Sequence, residues 1–160
     1  MRHAQSQYNR PMLPEIRTVP IEYTIAGHGL THDPAKSFGE EIMSLLDRVW
    51  PVIKNDAIPN DGINRVVYDS GCTVFAGVIL GPGADAMPAA AGLERKTIRL
   101  ARYAVWKHIG PYHLISATGA AMTKALQAAG HRTGWPMVEV YGHWTSDESK
   151  LETETFVALR

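Results

Sequence analysis

Apolar and polar side chains alternate between residues 16 and 26: Val19, Ile21, Tyr23 and Ile25 fall on one face, Glu22 and Thr24 on the other. A period of two predicts a strand, and Pro20 puts its start at a sheet edge or a bend. Gly27-His28-Gly29 reads as its break. The spacing then turns helical at Phe38, Ile42, Leu45, Leu46, Val49 and Ile53. This predicts an amphipathic helix with Asp33-Pro34 as N-cap and first-turn proline. Pro51 is expected to end or kink it. Residues 65–69 and 72–80 read as two strands joined through Ser70-Gly71 in a hairpin. Residues 81–93, GPGADAMPAAAGL, are almost uncharged and read as a connection. After it the order recurs, with a strand over 97–107 and a break at Gly110-Pro111. A helix over 112–129 follows, with the stripe Leu114, Ile115, Thr118, Met122, Ala125, Leu126 and Ala129 and Gly130 at its C-terminal cap. Strands over 137–141 and 153–159 complete the chain.

Each half therefore reads strand, helix, strand, strand, and particular residues repeat with it. Tyr23-x4-His28 and Tyr103-x4-His108 share one internal spacing, displaced by 80 residues (103−23 and 108−28). Tyr68 in VVYD falls where Tyr141 falls in VEVYG. The expected fold class is α+β: tandem βαββ units with pseudo-twofold symmetry, antiparallel sheets, one main helix per half and a cleft where the halves meet. Half one spans about 15–80, the linker 81–96 and half two about 97–160, one domain after a polar flexible arm over residues 1–14. If Tyr68 matches Tyr141, Val66 matches Glu139, so the second half carries a carboxylate that duplication alone does not require.

Composition narrows the function. Apolar residues at 45% and charged residues at 20% are those of a globular domain. Lys+Arg (16) balances Asp+Glu (16), without the basic block of a nucleic-acid footprint. No apolar run approaches the ~20 residues of a membrane span, and MRHAQSQYNRPMLPE holds no apolar signal core. A cytoplasmic location without direct nucleic-acid or membrane partners is expected. The single Cys72 lies in an apolar run and reads as a small buried strand residue. His28-x3-His32 contains Gly29 and precedes the predicted helix, and no cysteine or carboxylate completes a zinc set. No metal or cofactor is expected. His28 and His108, in matching places, read as structural residues at strand ends. GxSxG, GxxxxGK[ST] and a post-strand GxGxxG are all missing.

The chemistry concentrates in WPMVEVYGHW, residues 135–144. On a strand, Val138 and Val140 face a core while Glu139 and Tyr141 share the opposite face, which needs water or a polar-lined pocket. Two readings fit Glu139: a cleft carboxylate whose burial raises its pKa and attracts a cation, or a strand glutamate that is solvated or paired with Arg65 or Arg102. Tyr103, Trp106, Tyr112 and Tyr141 fit either a core or a stacking wall. Trp135 and Trp144 fit either a cleft rim or packing at the strand ends.

YAVWKHIGPY, the helix after it, VEVYG and the closing TETFVAL together resemble the GyrI-like small-molecule-binding family, which includes effector-binding domains of multidrug-sensing MerR-type and AraC/Rob-type regulators. The likeness spans the chain from about residue 15 and is firmest over 98–159. It implies a duplicated βαββ fold around an open hydrophobic cleft, with Glu139 of the E-x-Y motif facing the ligand. Tyr141, Tyr103, Trp106 and Tyr112 are implied as aromatic lining. No helix-turn-helix precedes the domain, so a stand-alone member is expected. The implied function is sensing or sequestration of an amphipathic or cationic small molecule. One alternative is a hydrolase of electrophilic, cyclopropane-type molecules using Glu139 and Tyr141; another is protein–protein inhibition of DNA gyrase. A binding module is favoured over the hydrolase, and a protein partner or homodimer stays open.

Overall fold

In the computed structural model, which describes residues 13–160, eight strands form one antiparallel sheet. All of the predicted N-terminal arm but Leu13 and Pro14 lies outside the described residues. The first half contributes β1 (Glu15–Arg17), β2 (Ile21–Thr31), α1 (Phe38–Asn55), β3 (Arg65–Ser70) and β4 (Thr73–Val78). The second contributes β5 (Glu94–Leu100), β6 (Tyr103–Ile109), α2 (Ile115–Ala128), β7 (Thr133–Tyr141) and β8 (Glu152–Leu159). The strand order is β1-β6-β8-β7-β3-β4-β2-β5. Its centre reads β6-β8-β7 against β3-β4-β2, the same succession reversed, as a twofold axis between β7 and β3 requires. This is the duplicated α+β architecture expected, with the two predicted sheets fused into one. It fits the GyrI-like fold that the resemblance implied.

The axis can be placed to the residue. Val66 pairs directly with Glu139 across β3 and β7. Those two are also the duplicated positions, 73 apart (139−66), like Tyr68 and Tyr141 (141−68). The pseudo-twofold thus passes beside the Val66–Glu139 pair, and a single carboxylate occupies a place where strict symmetry would set two like charges side by side.

Alternation sorts the side chains onto two faces. Ile25, Val67, Ile98, Leu100, Tyr103, Val105 and Val138 fill one. On the other, Leu45 of α1 covers Val66, Tyr68, Val74 and Ala76, and Met122 and Leu126 of α2 cover Ala104, Trp106 and Val157. The linker contributes to a further cluster, in which Ala84, Ala90 and Leu93 meet Val49, Ile53 and Val78. It ends at Leu93, because Glu94–Lys96 already belong to β5. The strand expected over 97–107 is two strands with Ala101-Arg102 between them. Arg17 pairs with Tyr103 and Ile21 with Leu100, so both chain segments turn the same corner, where Pro20 removes one ladder donor.

Other expectations are corrected. Gly27-His28-Gly29 lies inside β2, which runs to Thr31 because Gly27 and Gly77 let two backbones meet closely. Cys72 is exposed in the β3–β4 turn, not buried in a strand. Pro51 does not end α1, which continues to Asn55. Its cost in an isolated helix, ~3 kcal/mol, is offset by burial of Val49 and Ile53 on either side. His28 and His108 do not share surroundings. His28 faces Glu94 of β5. His108 lies between the Thr118 hydroxyl (2.7 Å) and the Pro111 carbonyl, to which its Nε2 donates (3.0 Å). Among the described residues, no helix is long and apolar enough to cross a membrane.

Helix α1 is capped by Ser37 rather than Asp33. The Ser37 hydroxyl accepts from the Glu40 N–H at 3.1 Å, whereas the Asp33 carboxylate closes a local turn onto the Ala35 N–H. Ser37→Ala should therefore cost about 1 kcal/mol, a fall of roughly 2–4 °C in Tm at this chain length. Asp33→Ala should cost less, and thermal denaturation of the two variants checks the order.

Candidate functional site

The β7 segment that carried the sequence argument forms the floor of a cavity of about 870 Å³, open between the two helices. Val138 and Val140 turn into the inner core, and Glu139 and Tyr141 turn outward into the cavity. Tyr68 of β3 joins them. Along α1, Phe38, Ile42, Leu46 and Trp50 form one wall; Tyr112 and Ile115 stand at the start of α2 opposite. Asp47 and Lys54 lie on the α1 side and Gly142-His143-Trp144 on the β7 side.

Two ridges of α1 explain this wall. Residues 41, 45, 49 and 53 lie on one i+4 row, and all four are buried. The adjacent row, Phe38, Ile42, Leu46 and Trp50, lines the cavity instead. A helix whose apolar stripe is two rows wide buries one row against the sheet and presents the other to the cleft. Its N-terminus is tied to the end of β2: Glu41 binds His32 and accepts from the Asp33 N–H at 3.0 Å. The His32 hydrogen bond outweighs burial and holds the Glu41 carboxyl below its usual range. His32 in turn stacks on Phe38, ring centroids 3.9 Å apart.

Glu139 is 6% exposed. The Tyr141 hydroxyl donates to its Oε2 at 3.0 Å, and Tyr68 lines the cavity beside it. Burial pushes its pKa up, opposed in part by the Tyr68 and Tyr141 hydroxyls, which favour the charged form. Burial and the neighbouring carboxylate likewise drive the Tyr68 and Tyr141 hydroxyls far above the ordinary phenol range. The ion pairs that would have made Glu139 a structural residue do not form: Arg65 pairs with Asp61 at 2.7 Å and Arg102 meets His131 at 3.1 Å. Among the described residues, no cation lies within ion-pair distance of Glu139.

The aromatic floor follows the pseudo-twofold. Phe38 meets Tyr68 edge-on (5.5 Å, 81°), and Tyr112 meets Tyr141 edge-on (5.3 Å, 89°), one pair on each side of Glu139. Of the residues singled out in the sequence, Glu139, Tyr141 and Tyr112 come together here. Tyr103 and Trp106 do not. Strand β8 separates β6 from β7. Tyr103 points to the inner face, donating to the Val19 carbonyl at 3.0 Å, and Trp106 is covered by α2. Trp144 stands at the rim, 75% exposed, while Trp135 lies outside the cavity. Tyr68 was legible as the counterpart of Tyr141. The α1 wall was hidden because its residues read equally well as core.

No protein family's sequence profile matches the chain, and no curated protein does. Solved structures do match along almost the whole chain. The EcmrR C-terminal domain superposes with a TM-score of 0.67 at 12% identity, over 93% of this chain and 99% of that one. SAV2435 bound to tetraphenylphosphonium gives 0.63 at 16% identity, over 92% and 93%. A hydrolase from Listeria innocua gives 0.56 at 14% identity, over 96% and 94%. Likeness at such identities establishes a shared fold.

Proposed function

We propose that this chain is a GyrI-like binding module that holds an amphipathic cation in the cleft between its halves, for sensing or sequestration. The carrying observation is a carboxylate, buried and without a cationic partner among the described residues, at the floor of an aromatic and aliphatic cavity. An unpaired buried charge is costly, and a ligand cation offsets that cost while the surrounding rings add ~0.5–2 kcal/mol. The tetraphenylphosphonium held by SAV2435, which shares the fold, supports this chemistry. Trp50 lines the cavity and Trp144 its rim, so saturable change in tryptophan fluorescence is expected on titration with tetraphenylphosphonium, and a much weaker response with neutral triphenylphosphine oxide. Equal responses, or none up to the solubility limit, would overturn this reading.

A second reading is supported by the hydrolase that shares the fold and by the upward shift of Glu139. A cleft carboxylate of raised pKa suits general acid–base work on an electrophilic small molecule, with Tyr141 assisting. Turnover of a cyclopropane-bearing electrophile that vanishes in Glu139→Gln, with the fold retained, would establish it. Equal turnover in that variant would remove Glu139 from the chemistry.

A further inference from the structure

The cation reading leaves open which cations the cleft prefers, and the hydrogens at its floor bear on that. A carboxylate offers about four lone-pair positions, and a phenol has one hydrogen to give and lone pairs to receive. Tyr141 directs its hydroxyl hydrogen at Glu139 at 3.0 Å, and the Tyr68 hydroxyl adjoins the same carboxylate. One carboxylate position is thereby filled, and the Tyr141 hydroxyl has no hydrogen left for a ligand. Two of the cavity's other side-chain donors are engaged elsewhere: the Trp50 indole N–H is committed to Asn64 Oδ1 at 2.9 Å, and Lys54 lies over the Trp50 ring on the α1 side. The floor is therefore rich in acceptors: the open positions of Glu139 beside the phenol oxygens of Tyr141 and Tyr68.

We propose that the head group recognised here is a protonated amine bearing N–H groups, a primary ammonium above all, and that a quaternary cation of the same body is the weaker ligand. Three N–H donors match three acceptor oxygens, one from each of Glu139, Tyr68 and Tyr141. A trimethylated head keeps the charge and the contact with the rings but leaves all three acceptors without donors in a dry site. Charge-assisted hydrogen bonds are about twice as strong as neutral ones, which outweighs the heavier hydration an ammonium gives up. The proposal rests on the cation reading, and its test separates the two.

Calorimetric titration of the full chain at pH 7.5 would use three ligands with one body: 2-(2-naphthyl)ethylammonium, its N,N,N-trimethyl derivative and 2-ethylnaphthalene. The expected order is ammonium at least tenfold tighter than trimethylammonium, with the hydrocarbon weakest. Trimethylammonium binding as tightly as ammonium, both ahead of the hydrocarbon, overturns this proposal and leaves the cation reading standing. The hydrocarbon binding as tightly as either cation, or no binding by any of the three, overturns both. In Tyr68→Phe and Tyr141→Phe, measured singly and together, the ammonium-to-trimethylammonium ratio should fall stepwise toward one; an unchanged ratio in the single variants also overturns the proposal.

Discussion

Replacing Glu139 by glutamine is expected to weaken binding of a cationic ligand about 100-fold and, in the absence of ligand, to stabilise the protein at neutral pH. The affinity loss follows from charge. At ~4 Å and an effective dielectric of about 20, a unit charge pair is worth ~4 kcal/mol. After desolvation, about 2–3 kcal/mol of that survives, roughly a 30- to 150-fold change in Kd. Glutamine keeps the shape and an oxygen that can accept from Tyr141 and Tyr68, so the loss reports the charge and not a collapsed floor. Neutral ligands should be nearly unaffected. Calorimetry with tetraphenylphosphonium and a neutral analogue measures both, and an unchanged Kd for the cation would remove Glu139 from recognition.

The stability gain has a definite pH signature. Burial raises the Glu139 pKa above its unfolded value, so in that window the native state binds more protons than the unfolded one. Stability contributed by the protonated group is complete below the unfolded carboxylate range. It falls as pH rises through the folded pKa and stays low above it. Glu139→Gln removes this dependence. The two proteins should melt together near pH 4 and diverge as pH rises, the variant higher by about 2–4 °C for each 1 kcal/mol recovered. Melting curves from pH 4 to 8 in which the variant is the less stable at pH 8 would contradict the burial argument. Saturating cation should reverse the order, because wild type, binding it about 100-fold tighter, gains more from it.

This residue also shows how far the sequence could be read. The duplication, the strand around Glu139 and its shared face with Tyr141 all follow from period and repeat, which are patterns along the chain, and the structure has them. What local patterns do not hold is the neighbour across the sheet. Tyr103 and Trp106 of β6 have the right aromatic character, yet β8 lies between β6 and β7, so neither reaches the cleft. The α1 wall was invisible for the opposite reason. Phe38, Ile42, Leu46 and Trp50 form a ridge parallel to the buried one, and nothing in a single helix says which ridge meets the sheet. Pro51 and the glycines of β2 misled for a third reason, since propensities for isolated elements yield to tertiary packing.

Those glycines carry the largest stability prediction. Gly27→Val should destabilise the protein by about 3 kcal/mol or more, although valine favours strands by up to ~1 kcal/mol. Gly27 pairs with Gly77 across β2 and β4, and each also pairs outward, Gly27 with Glu94 and Gly77 with Arg65, so both sit within the sheet and not at its edge. A Cβ on Gly27 would run into the Ala76 carbonyl, and one on Gly77 into the Ala26 carbonyl. These are backbone atoms, so relief requires the two strands to part. Parting them displaces Ala26 and Val78 from the cluster beneath α1's last turns, and Ala76 from the cluster that seats Leu45. The loss is then a large share of a typical total of 5–15 kcal/mol. Gly29→Ala is the control two residues along the same strand. Its Cβ would meet the Phe75 ring at 3.0 Å, a side chain able to yield, so a cost under about 1 kcal/mol is expected. Urea denaturation of the pair decides the matter: a Gly27→Val midpoint close to that of Gly29→Ala would mean that β2 and β4 do not depend on this close approach. Because Ala76 and Leu45 also set where α1 lies, Gly27→Val should loosen the cleft wall as well, lowering affinity for neutral and cationic ligands alike, in contrast to the charge-selective loss in Glu139→Gln.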